Sequence, residues 1–388
     1  MPIFDITMAA SVIILMIPVS ILLLQILAAI LGGTSGMSAK KHAPPVAVLM
    51  PAHNEALVIT APVQAILAQL KQPDQLVVVA DNCSDETASI ARNLGATVIE
   101  RSDLQQRGKG YALDFGLKYF RSNPPEVLLI VDADCIVAEN AIQSLAAACV
   151  EYQRPVQALY LMGSQTNPSL KQRVAEFAWV VKNKVRPLGF MTLGLPCQMM
   201  GTGMAFLWSD ICKINLASGH IVEDMKLGID LARINKAPLF MPEALVTSTF
   251  PPTQEATNTQ RTRWEHGHLS VILSEAPRLY YEAIKLKNLQ ILGLACDLIV
   301  PPLAVLSLLC SVLFVLSMLF ASPYVFMLAA GLLLGLILAV LLAWLYYGRQ
   351  IISFKQLCYA PVYALMKIPL YVKFLFNRQL DWVRSKRD

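Results

Sequence analysis

The chain has 388 residues, of which 55% are hydrophobic and 15% charged, with a net charge of +5 and a mean hydropathy of +0.52. That length favours one globular unit plus something else, and the apolar excess excludes an ordinary soluble protein. The modest charge, partly spent beside apolar runs, gives no case for nucleic acid, and eight cysteines without a C-x-x-C pair read as the free thiols of a reducing compartment.

From the N-terminus, Ile6 to Leu31 is almost free of polar side chains, and about 20 apolar residues suffice to cross a bilayer as a helix. The acidic start "MPIFDIT" and the length of the run favour an uncleaved span over a signal peptide. From Val46 short apolar runs alternate with amphipathic stretches, the pattern of a mostly parallel α/β sheet. Strands are expected at "VAVLMPAHNE", "QLVVVADNCSDET", "TVIER" and "EVLLIVDADC", with helices between them at "ALVITAPVQAILAQL", "SIARNLGA" and "KGYALDFGLKYF". Further spans are expected at Leu298–Phe320 and Val325–Tyr347, joined by a short "ASPY" turn. Leu357–Phe376 carries Pro361, Lys367, Pro369 and Lys373 and reads as interfacial or re-entrant. The stretch "EAPRLYYEAIKLKN" is amphipathic and suited to lie on a membrane.

The expected organisation is therefore residues 1–43 as first span and linker, 44–268 as a cytoplasmic domain, 269–297 as an amphipathic interfacial region, 298–348 as a helical hairpin, and 349–388 as interfacial segment and basic tail. Basic residues stay cytoplasmic near span ends. Lys40, Lys41 and His42, then Lys285 and Lys287, then Arg349, Lys355 and the tail "RSKRD" fall on one side of a three-span chain, with the N-terminus outside.

In open α/β sheets ligands sit at the carboxyl ends of strands. Here those ends carry His53-Asn54-Glu55, Asp81-Asn82, and Asp132 with Asp134. A D-x-D at a strand end suits a cation bound to a diphosphate, although a solvated turn or helix cap has the same residues. Arg107, Gly108, Lys109 and Gly110 form a basic, glycine-rich loop before a helix, fitted to anion contact but without Walker A spacing. Glu223 and Asp224 open an amphipathic helix, where they could supply a base or complement the helix dipole. Gln260, Arg261, Arg263 and Trp264 combine phosphate-clamping guanidinium groups with a flat ring on which a sugar could stack; an interfacial Arg/Trp belt is the other reading.

The motifs "PAHNE", "ADNCSDET", "RGKGYALDFGL", "DAD", "GTGM", "ED" and "QRTRW", in that order, resemble the processive-type family-2 glycosyltransferases: cellulose, chitin and hyaluronan synthases, with ceramide glucosyltransferase as a related single-transfer member. The resemblance covers about Val46 to Leu269. It implies a GT-A-type, Rossmann-like α/β domain with a mostly parallel sheet flanked by transmembrane helices. By the same resemblance Pro51, Ala52, His53, Glu55, Asp81, Lys109 and Asp132 bind the nucleotide. Asp134 with Asp132 holds Mg or Mn, and Asp224, beside Glu223, is the catalytic base. Gln260, Arg261 and Arg263 hold the diphosphate, and Trp264 with Gly201, Thr202 and Gly203 frames the acceptor.

The expected function is inverting transfer from a nucleotide-diphosphate sugar, a UDP-sugar first among them, to a polysaccharide or lipid-linked acceptor in envelope or glycolipid synthesis. Membrane lipid is the expected surrounding, and the chain's compactness suggests a bacterial inner membrane. Three spans leave little material for a polymer conduit, which favours a single transfer, whereas "QRTRW" favours processivity. The alternatives are a sugar nucleotidyltransferase, which would carry an N-terminal glycine-rich phosphate loop that "PAHNEALVI" lacks, and a nucleotide-sensing membrane scaffold or transporter.

Overall fold

The computed structural model describes residues 2–32, 44–164, 168–219, 221–251 and 253–378. Lys40, Lys41, His42 and the "RSKRD" tail, used above for orientation, lie outside the described residues. The chain forms two compact units, one from Thr34–Gln165 with Pro196–Gly267, the other from Met1–Gly33, Thr166–Leu195 and His268–Arg378.

The first unit is built on a single sheet. Its strands are β1 (Val46–Ala52), β2 (Gln75–Asp81), β3 (Thr97–Arg101), β4 (Val127–Ile130), β5 (Ile136–Val137), β6 (Val156–Gly163), β7 (Met204–Leu207) and β8 (Leu239–Thr249), in the order β3-β2-β1-β4-β7-β6-β8-β5. Pairing is parallel between β1 and β2, β1 and β4, β2 and β3, and β6 and β8; it is antiparallel at β4–β7, β6–β7 and β5–β8. The central parallel strands are continuous apolar runs because both faces are covered: β1 and β4 are buried throughout. On one face Leu49, Val79, Ile130 and Phe206 pack against Leu113, Leu117 and Phe120 of the Lys109–Phe120 helix and against Leu227 and Leu231 of the Glu223–Arg233 helix. Each such side chain, fully buried, contributes about 1.5–3 kcal/mol. The β6–β8 ladder slips between Ala158 and Leu159, opposite Met241 and Leu245. Pro242 lies in the displaced stretch and cannot donate to a ladder, which accounts for the irregularity there.

This topology gathers the site. The carboxyl ends of β1, β2 and β4 share one edge because the strands are parallel. β7 runs the other way, with Met204 opposite Ile130, so Gly201-Thr202-Gly203 enters at that same edge.

The second unit is helical. Three of its helices, Ile3–Leu31, Leu303–Phe320 and Pro323–Gly348, are long and apolar enough to cross a membrane. The second begins later than the Leu298 read from hydropathy: the Leu289–Leu298 helix stops there, and Pro301-Pro302 precede a fresh start at Leu303. Ser322, the cap of the third helix, donates its N–H to Asp5 Oδ1 at 3.0 Å, so the hairpin turn meets the start of the first helix. At the other end Tyr347 donates to the Ala29 carbonyl at 2.8 Å. The apolar stretch after these helices is broken into short helices, Phe354–Leu357, Ala360–Leu365 and Ile368–Phe376, and Pro361 and Pro369 stand in the first turns of the last two.

Candidate active site

Two residues past the end of β4, the backbone N–H of Asp132 donates to Thr202 Oγ1 at 3.1 Å. Thr202 is wholly buried, so its side chain joins the two segments and faces inward. Gln157 of β6 braces the same loop, donating Nε2 to the Thr202 carbonyl at 2.9 Å and accepting from Met200 N–H at 2.8 Å. Gly201 and Gly203 on either side have φ of +89° and +63°, and a Cβ on Gly203 would lie 2.7 Å from Ala158 Cβ, so glycine suits both positions. A Cβ on Gly201 would sit 3.4 Å from Asp224 Oδ2 and 3.6 Å from Lys109 Nζ, which puts both groups directly over this loop.

Lys109 is the hub. Its ammonium pairs with Asp132 Oδ1, donates to the Gly201 carbonyl at 2.7 Å, and lies 3.7 Å from Glu223 Oε1. Burial alone would depress its pKa, but the carboxylates of Asp132, Glu223 and Asp224 overcome this and hold it above the ordinary lysine range. Burial pushes the carboxyls of Asp132 and Glu223 up, Lys109 draws them back, and Asp134 and Asp224 respectively push them up again. Thus the D-x-D pair and the Glu223-Asp224 pair, 92 positions apart from Asp132 to Asp224, meet through one lysine.

Asp134 is held by groups that sequence reading missed. Ser248 of β8 donates to its Oδ2 at 3.1 Å, and the Cys135 thiol donates to its Oδ1 at 3.4 Å. Ser248 is also hydrogen-bonded with Tyr160 of β6. One ligand atom from each of Asp132, Asp134 and Cys135 falls within 4.8 Å of the others. Burial, then Asp134 and Asp132, push the Cys135 thiol well up, and the two carboxylates are the hard oxygen donors of the group. That set suits a hard divalent cation such as Mg2+ or Mn2+.

At the β1–β2 end, Asp81 is paired with Arg101 of β3 at 2.7 Å, and both side chains are over nine-tenths buried. His53 Nδ1 lies 2.7 Å from the Asp81 carbonyl, which can only accept, so the ring proton is on Nδ1. Asn54, with φ of 53°, accepts from Ser84 N–H at 2.7 Å, and Glu55 N–H donates to Thr87 Oγ1 at 2.8 Å, fixing the turn after Pro51 and Ala52. Arg101 was read as a plain strand residue; its role as the partner of Asp81 could have been suspected only from its place next to that strand.

Gln260, Arg261, Arg263 and Trp264 lie in the long Gln254–Leu286 helix. Gln260 is buried, and its Oε1 has no hydrogen-bond partner among the described residues. The Arg261 guanidinium lies 6.0 Å from the Phe250 ring, and Arg263 is near enough to lower the pKa of Glu223. Trp264, next in sequence, is half-buried.

The sheet is that of a GT-A-like α/β domain. Residues 44–267 match the family model described as "Glycosyltransferase like family 2", and the chain belongs to that family. It is similar to the probable glycosyltransferase YdaM of Bacillus subtilis (strain 168), 26% identical over 277 residues, which cover 65% of this chain and 61% of that protein. The chain thus spans less than two-thirds of that relative's length. In fold it is similar to the mannosyltransferase PcManGT from Pyrobaculum calidifontis, solved in complex with GDP-Man and Mn2+, at 15% identity and a TM-score of 0.59 over 96% of this chain and 100% of that one.

Proposed function

We propose that the protein is a membrane-anchored inverting glycosyltransferase that moves a sugar from a UDP- or GDP-linked donor to a membrane-delivered acceptor on the cytoplasmic side. The observation that carries this reading is Lys109, which ties a cation-suited D-x-D to the carboxylates of Glu223 and Asp224 in one corner. Family membership supports the reaction class. Three helices able to cross a membrane, with Asp5 at one end of the bundle and Arg349 past the other, support the anchorage and an N-terminus outside.

In this reading the acceptor oxygen attacks the anomeric carbon as the carbon–oxygen bond to the diphosphate breaks, inverting that carbon. Asp224 takes the hydroxyl proton during attack, since a carboxylate is too weak to ionise a sugar alcohol beforehand. Glu223 is the lesser candidate because Lys109 interacts with it more strongly than with Asp224. Asp134 and Asp132 would hold Mg2+ or Mn2+, which when bound neutralises charge gathering on the leaving diphosphate. Gln260, Arg261 and Arg263 supply further donors to that diphosphate. Pro51, Ala52, His53, Glu55 and the Asp81–Arg101 pair form the nucleotide end, and Trp264 with the Gly201–Gly203 loop the acceptor end.

A screen of UDP- and GDP-sugars with Mn2+, scoring nucleoside diphosphate release with and without membrane lipid extract, tests this. Release is expected with a subset of donors, raised by the extract, abolished by EDTA and restored by Mn2+. No release with any donor in any lipid background would count against the proposal. Sizing the radiolabelled product separates single transfer from polymerisation.

A further inference from the structure

The helical unit carries a charged feature that sugar transfer does not use. Residues 168–195 form Leu170–Val180, the π-helical turn Val181–Val185 and Arg186–Thr192, an almost unbroken helical arm. Although they lie between two parts of the sheet domain in sequence, they belong to the unit of apolar helices. They hold five basic residues and one acidic one, Glu176.

The arm is pinned at Arg186, which is 6% exposed. Its Nη2 donates to Asp297 Oδ1 at 2.8 Å and to the Asp297 carbonyl at 2.6 Å, and its Nε to Gln25 Oε1 at 3.2 Å. Gln25 Nε2 in turn donates to Asp297 Oδ1 at 2.6 Å. Gly189 sits so close to the first helix that a Cβ there would lie 1.8 Å from the Gln25 carbonyl oxygen. A buried, well-bonded ion pair adds little net stability, and its best-attested use is to fix one arrangement. Here it fixes the rotation of the arm on the first helix.

That rotation decides where the next basic groups go. Lys182, one turn before Arg186, is exposed, with Nζ 5.5 Å from the Trp179 ring. Lys184 Nζ lies 6.0 Å from the Tyr347 ring, and the Arg349 guanidinium 5.7 Å from Trp344. Tyr347 bonds to the Ala29 carbonyl, so the group lies at the end of the bundle opposite Asp5. From 344 to 378 the chain adds five basic residues and no acidic one. Burial, then the positive charges of Lys182 and Arg186, hold His268 well below the usual imidazole range, a sign that the potential there is positive.

We propose that the Lys182–Lys184 arm and the turn at Arg349 form a binding surface for anionic phospholipid headgroups at the basic end of the helical bundle. Aromatic rings at headgroup depth, with ammonium and guanidinium groups over them, let long basic side chains lay their stems on apolar surface while their charges meet phosphate. Each basic residue near an anionic leaflet strengthens attraction about fivefold. The proposal rests on the membrane reading and is independent of sugar transfer.

The full chain is reconstituted in nanodiscs of phosphatidylcholine alone or with phosphatidylglycerol, released, and examined by native mass spectrometry and thermal unfolding. Wild type should retain phosphatidylglycerol over phosphatidylcholine by about fivefold or more, and unfold at a higher temperature when it is present. The double substitution Lys182→Glu with Lys184→Glu should lose both effects, whereas Lys182→Arg with Lys184→Arg should keep them. Equal retention of the two lipids by wild type, or an undiminished preference in the charge-reversed protein, overturns the proposal. If the charge-reversed protein does not fold, the wild-type lipid comparison still decides. A wild-type chain that enters no bilayer overturns the membrane reading and the proposal together, and a chain that binds the lipid without transferring sugar loses only the enzymatic reading.

Discussion

Asp224→Asn is expected to lower the rate of sugar transfer about a thousandfold while leaving donor binding within about twofold of wild type, the loss typical of removing a positioned general base. The amide keeps the shape of the carboxylate over Gly201 and cannot accept the acceptor's proton. Glu223→Gln should cost less, because that carboxylate already lies 3.7 Å from the Lys109 ammonium. Single-turnover transfer with labelled donor, together with nucleotide titration, separates the two effects. A variant of Asp224 that transfers sugar at wild-type rate would remove the base from the mechanism.

Lys109→Met should have the second large effect, on stability as well as activity. It strips the counter-ion from Asp132 and Glu223, whose side chains are 31% and 16% exposed. Leaving buried carboxylates uncompensated costs about 3 kcal/mol, or about 6–12 °C in unfolding temperature for a domain of this size. The sign of the pH dependence follows from the raised carboxyl pKa values. The deficit is largest at high pH, where the carboxyls are charged when folded, and shrinks as pH falls through their raised pKa values, above the ordinary carboxylate range, because a protonated acid needs no counter-ion. Added Mn2+ should recover more stability in this variant than in wild type. Differential scanning fluorimetry across pH, with and without Mn2+, measures all three.

The acidic corner was legible wherever a motif was local. Asp132 and Asp134 follow a strand with an unmistakable apolar run, and parallel strands carry His53, Asp81 and Asp132 to one edge by topology alone. What could not be read were partners set by distant pairings. Ser248 reaches Asp134 across 114 positions because β8 pairs with β5, which starts two residues after Asp134, and Arg186 reaches Asp297 across 111. Nothing in "DLIVPP" points to a buried arginine. The arm at 168–195 was read as part of the sheet domain because an amphipathic helix has the same periodicity whether its apolar face meets a sheet or a span. Proline gave boundaries more finely than hydropathy did: Pro301-Pro302 move the second span's start from Leu298 to Leu303, and Pro361 and Pro369 divide the stretch after the third.

In the proposed reaction Asp132 and Asp134 hold a divalent cation against a nucleoside diphosphate. Electron paramagnetic resonance of Mn2+ titrated into the protein with UDP or GDP tests it most directly. Metal and nucleotide should tighten each other's binding, the bound Mn2+ should show coupling to phosphorus, and Asp134→Asn should weaken Mn2+ at least about tenfold, as expected when a charged ligand is lost. Mn2+ bound equally well by Asp134→Asn, or indifferent to nucleotide, would contradict it.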